Sequence, residues 1–135
     1  MERPNRGAWC CLLLPFLIGA PAMSLAQDAG APSLGKHVQP IFDANCVACH
    51  QTGAAQQGLI LESGLAYANV GRSSTEAAMT LIEPGKPEAS YLFLKVSGTY
   101  VQASGKGARM PLGGVLEGAD IETIRRWIVG GAKNN

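Results

Sequence analysis

Apolar residues recur along this chain at helical spacing in two places, near its middle and near its end, with glycine- and proline-rich segments between them. The clearest case is the last: Ile121, Ile124 and Ile128 stand at i, i+3 and i+7, and Trp127 widens the stripe. Glu117 and Asp120 lie at the start and Arg125 and Arg126 later, matching the helix dipole, and Gly130-Gly131 ends the element. An earlier helix is expected from about Pro40, a residue suited to a first helical position. Phe42, Cys46 and Cys49 then fall at i, i+4 and i+7 on one face.

Between these two, Gln51 to Gly58 reads as a polar loop and Leu59-Ile60-Leu61 as a return to the core. Ser63 is a plausible cap for a short helix through Asn69, broken by Gly71-Arg72-Ser73-Ser74. Pro84-Gly85-Lys86-Pro87 predicts a turn, with another helix over Glu88 to Val96. Ser97 to Gly107 reads as irregular, and Arg109 to Gly114 has too many breakers for a helix. The expected fold class is all-α, with about four short helices and irregular loops.

The N-terminus has the layout of a secretory signal. Arg3 and Arg6 precede an apolar stretch from Cys10 to Ala20, and Ser24-Leu25-Ala26 offers a small-x-small cleavage site. The apolar stretch is shorter than the roughly 20 residues of a membrane-spanning helix and contains Pro15, so cleavage after Ala26 is expected in place of a retained anchor. The expected organisation is a signal peptide over 1–26, a flexible leader over 27–36 and one domain over 37–135, exported to the periplasm. The chain has 11 basic and 10 acidic residues; two basic and one acidic precede Gln27, leaving nine of each. Such balance disfavours nucleic acid and anionic membrane surfaces as partners.

Removing the signal also removes Cys10 and Cys11, leaving Cys46 and Cys49. A pair three residues apart cannot staple distant parts of an exported fold. The run Cys46-Val47-Ala48-Cys49-His50 instead reads as covalent haem attachment, with two thiols placed for thioethers and His50 as an axial ligand to iron. No second such run occurs, so one haem is expected. A thioether opposite histidine makes an electron carrier of raised reduction potential. Met110 is the leading sixth ligand, because Pro111 holds it off helical geometry in a glycine-rich loop. Met79 reads as core filler, His37 as a surface histidine, and Arg109 as either a propionate partner or a solvated arginine. Trp127 reads as a core residue. With few aromatics and many glycines the domain has little to build a core from, so the haem-free chain is expected to fold poorly.

These features resemble the class I cytochrome c family over nearly the whole region after the signal. Val38-Gln39-Pro40-Ile41-Phe42, the Cys46 to His50 run, Pro84-Gly85-Lys86-Pro87-Glu88-Ala89-Ser90, Met110-Pro111 and Trp127 to Ala132 are similar to a bacterial, planctomycete-type subgroup. The resemblance implies crossing N- and C-terminal helices around one haem c, Cys46 and Cys49 as thioether anchors, and His50 and Met110 as iron ligands. It further implies a soluble monomer, not an enzyme, that passes electrons between redox protein partners such as a dehydrogenase, an oxidase or another cytochrome. The long glycine-rich stretch before Met110 departs from the family pattern.

Two other uses of the same residues are open. Haem-based binding or sensing of a small ligand would follow if Met110 left the iron. A thiol–disulfide oxidoreductase would use Cys46 and Cys49 directly, but needs a depressed thiol pKa and a strand before the pair. Zinc is disfavoured by the spacing of the remaining histidines.

Overall fold

The computed structural model describes Met1 and residues 30–135. The expected signal peptide and its cleavage site lie outside these residues. Among the described residues three α-helices are joined by short 3₁₀ turns and one small β-pair: α1 (Gln39–Asn45), β1 (His50–Gln51), β2 (Ala54–Ala55), α2 (Tyr91–Ser97) and α3 (Gly118–Val129). This is a small fold of short helices with little sheet, and the β-pair departs from a purely helical expectation. Among the described residues no helix is long and apolar enough to cross a membrane.

The described region opens on a turn that includes residues 33–36. Ser33 caps a π-type turn over Leu34–Val38, its hydroxyl accepting from the Lys36 amide at 3.2 Å, and Pro32 and Leu34 are buried. That turn runs directly into α1, which places Pro40 one residue inside the helix. The far end of the chain returns to the same turn: the Gly35 amide donates to the Asn135 carbonyl at 2.9 Å. α3 packs mainly on this leading turn, on α2 and on the Pro87–Ala89 turn.

At the centre of the core lie Val38, Phe42, Ile82, Ile124, Trp127 and Ile128, all essentially without solvent contact. The isoleucine stripe of α3 thus faces inward as its period requires, while the Trp127 indole N–H donates to the Lys133 carbonyl at 3.0 Å. α3 ends through the Gly131 amide on the Ile128 carbonyl and the Ala132 amide on the Trp127 carbonyl; Gly131, at φ 96°, takes the left-handed conformation this stop needs.

The double-proline turn is held from two sides. The buried Ser90 hydroxyl donates to the Lys86 carbonyl at 2.9 Å and accepts from the Glu83 amide at 2.8 Å. The Gly85 amide reaches the Ile128 carbonyl at 2.7 Å. Because Ser90 closes this turn, the expected helix over Glu88 to Val96 divides into a 3₁₀ turn over Pro87–Ala89 and α2. The short helix expected after Ser63 is likewise only a 3₁₀ turn, Ala66–Asn69, preceded by Leu65 and fastened by Asn69 Nδ2 to the Ile60 carbonyl at 2.7 Å.

Truncating either large core side chain leaves a cavity at a site with no solvent to fill it. Phe42→Ala or Trp127→Ala is expected to lower unfolding free energy by about 3–5 kcal/mol in urea titrations. Arg125→Ala, which removes only an exposed pair with Glu122, is expected to change nothing measurable.

Candidate functional site

Cys46, Cys49 and His50 are gathered by one backbone turn at the end of α1. The Cys46 amide still bonds back to the Phe42 carbonyl at 2.8 Å, but the helix stops at Asn45, and Asn45 Nδ2 takes the Ile41 carbonyl at 2.9 Å. The Cys46 carbonyl then accepts from both the Cys49 amide, at 3.1 Å, and the His50 amide, at 3.0 Å. The pair therefore sits on a turn beyond the helix, where the sequence pattern had continued the helical face. Gly53, at φ 86°, turns the chain so that His50 pairs with Ala55, and the His50 carbonyl accepts from the Leu61 amide at 2.8 Å.

The loop that follows is tethered by Glu62, whose carboxylate accepts from both the amide and the hydroxyl of Thr52 at 2.6 Å each. The hydroxyl bond, more than the amide bond, holds the Glu62 carboxyl below its ordinary range. A depressed carboxyl supports this tether above the ordinary pKa of 4.5 and releases it as pH falls below that value.

Inside the turn the environment is apolar. Cys46 is half-buried against the core, and burial pushes its thiol from 9.0 up to about 11, so it is protonated at neutral pH. That is opposite to the lowered pKa of a nucleophilic redox cysteine, and α1 stands where a strand would be required. Cys49 is exposed. His50 Nδ1 is buried and has no hydrogen-bond partner among the described residues. A ring nitrogen withdrawn from water without a partner is an incomplete polar group, and such groups call for a specific reason.

Met110 lies in a loop tied to α2. Its amide donates to the Lys95 carbonyl at 3.1 Å, and its side chain packs, half-buried, on the same apolar core as Cys46. Among the described residues no hydrogen bond joins Arg109 to Pro111 directly with Cys46 to His50. Met79 is half-buried on the core, and His37 is exposed, its Nδ1 beside the Ser33 amide and hydroxyl. The Arg109 guanidinium donates to the Val96 carbonyl through Nε and Nη2, both at 3.1 Å.

Lys95 stands in α2, where the sequence pattern predicts a helix. It is buried, paired with Glu76 and placed over the Tyr91 and Tyr100 rings. A lone lysine inside the run Tyr91 to Val96, otherwise wholly apolar, is the signal that marks it.

Two concavities among the described residues lie elsewhere. One of about 300 Å³ is lined by Leu34, Gln39, Tyr67 and Asn135, and one of about 520 Å³ by Glu88, Phe93, Leu94 and Gln102. Neither is lined by Cys46, Cys49, His50 or Met110. Among the described residues no three His, Cys, Asp or Glu side chains are grouped to hold a metal ion by themselves. No protein-family profile, curated protein or solved structure matches the chain.

With both thiols free, iodoacetamide at pH 8 is expected to label Cys49 well before Cys46, with the Cys46 rate climbing until about pH 11. The stability gained by burying a neutral Cys46 thiol is full below pH 9.0 and is lost as pH rises toward about 11. Equal labelling of the two at pH 8, followed by peptide mass mapping, contradicts the burial argument.

Proposed function

We propose that this chain is a periplasmic, class I-type cytochrome c that carries single electrons between redox proteins. The observation that carries the reading is the Cys46 to His50 turn, which sets two thiols beside an imidazole whose buried Nδ1 lacks a partner. The donor chemistry fits a haem: two thiols at i and i+3, one imidazole, and a thioether on a separate loop. Bound, the haem iron would alternate between its ferrous and ferric states.

The roles of the residues follow from their chemistry. Cys46 and Cys49 would each add sulfur and hydrogen across one vinyl group, giving thioethers that carry no charge into the apolar wall around Cys46. His50 would supply an imidazole nitrogen to the iron, with its backbone fixed by the turn on one side and by Ala55 and Leu61 on the other. Met110 would supply a thioether sulfur as a second ligand. With His50 and Met110 both committed to the iron, no residue of the set would be left to act on a substrate, which is why a carrier and not an enzyme is proposed.

Leu112 and Val115 are 75% and 62% exposed on the segment after Met110, an apolar edge suited to brief docking of a redox partner.

The Met110→Ala variant tests the axial assignment. The parent is expected to be six-coordinate and low-spin, with a reduced Soret band unmoved by carbon monoxide. The variant is expected to become high-spin, bind carbon monoxide and fall in potential. A parent that binds carbon monoxide directly favours ligand sensing, and a variant that stays low-spin at the parental potential removes Met110 from the iron.

A further inference from the structure

α2 is buried on every side, and the one charge it carries is buried with it. Lys95 is only 6% exposed, between Leu94 and Val96, which are buried as well. Its ammonium lies 3.2 Å from Glu76 Oε2, donates to the Lys106 carbonyl at 2.8 Å, and sits 4.7 Å from the Tyr100 ring centre and 5.6 Å from that of Tyr91. Two oxygens and two aromatic faces thus replace the water this cation has lost. The Tyr91 hydroxyl donates to the same Lys106 carbonyl at 3.0 Å. Burial first, and then the Glu76 carboxylate, raise the Tyr91 pKa, which keeps the phenol protonated as a donor.

The glycines before Met110 acquire a reason here. A Cβ on Gly105 would come within 2.5 Å of Tyr91 Cε2 and 2.8 Å of the Tyr100 carbonyl oxygen. At Gly107, whose φ is 75°, it would come within 2.9 Å of Glu76 Oε1 and 3.1 Å of Lys95 Nζ. Only a backbone without side chains at these points closes over the ammonium. The same lysine accepts the Met110 amide on its own carbonyl, 3.1 Å away. One residue therefore grips the loop at two points, through Nζ at Lys106 and through its carbonyl at Met110.

We infer that Lys95, with Glu76 as its counter-charge, is the positioning residue for Met110, holding the 99–110 loop so that the thioether stays presented to the iron. This rests on the proposed His50 and Met110 ligation. Without the ammonium, the Lys106 carbonyl keeps only the tyrosine donor, and the loop samples open states in which Met110 has left. An incoming ligand binds in proportion to that open fraction.

The test uses the exported, haem-loaded full chain with Lys95→Met, which keeps the apolar stem, and with Glu76→Gln, which removes the counter-charge from a partly exposed position. Both variants are expected to retain covalent haem and low-spin character. The ferric Lys95→Met protein is expected to bind imidazole about tenfold more tightly than the parent, with a lowered potential and faster hydrogen exchange at the Met110 amide. Glu76→Gln is expected to move the same readouts in the same direction by less, and decides the matter alone if Lys95→Met does not fold. Parental imidazole affinity and Met110 amide protection in a folded variant overturn the inference while leaving the ligation intact. A parent that lacks haem, or is not ligated by Met110, overturns both.

Discussion

One carbonyl oxygen, that of Cys46, accepts the amides of both Cys49 and His50, and the arrangement of the chemically distinctive residues follows from that bifurcated turn. Had α1 continued, the two sulfurs would stand on a regular helical face and the histidine would follow around the cylinder. Instead the chain leaves the helix, puts Cys46 inward and Cys49 outward, and passes His50 into a β-pair that fixes its backbone on a second side. The turn is anchored in turn by Phe42, at the centre of the core, through the bond from the Cys46 amide. Phe42 belongs to the same buried cluster as Trp127 and Ile128, so that core and the geometry at the thiols are linked through one backbone bond.

What could be read from residue order differs sharply between the two halves of the site. The Cys46 to His50 spacing is local, and local chemistry is legible because a few backbone bonds decide it. The α3 stripe was equally plain, since Ile121, Ile124 and Ile128 repeat at the period of the structure they form. The first turn was not legible, because Pro32 and Leu34 are buried by contacts that residue order does not reveal, including the return of Asn135 to that turn. The division at Ser90 was hidden for a similar reason: its hydroxyl serves the preceding turn, not the helix it precedes.

The loop carrying Met110 was the least legible part. Its glycines read as breakers, which is true of their backbone but silent about what they surround. A buried ammonium costs several kcal/mol unless polar partners replace its water; here Glu76, the Lys106 carbonyl and two tyrosine faces do so, drawn from three separate stretches of chain. The proposed site would thus combine a turn set by helix termination with a loop held over a satisfied buried charge. For a carrier that must change oxidation state with little movement, both flanks of the proposed cofactor would need such restraint.

The central claim is covalent attachment at the first turn, and mass spectrometry of the exported protein addresses it most directly. Proteolysis followed by mass measurement of the peptide containing Cys46 and Cys49 is expected to show that peptide enlarged by one haem, with neither thiol free to alkylate. An unmodified peptide from correctly exported, folded and haem-supplied material, or one carrying only a Cys46–Cys49 disulfide, contradicts it.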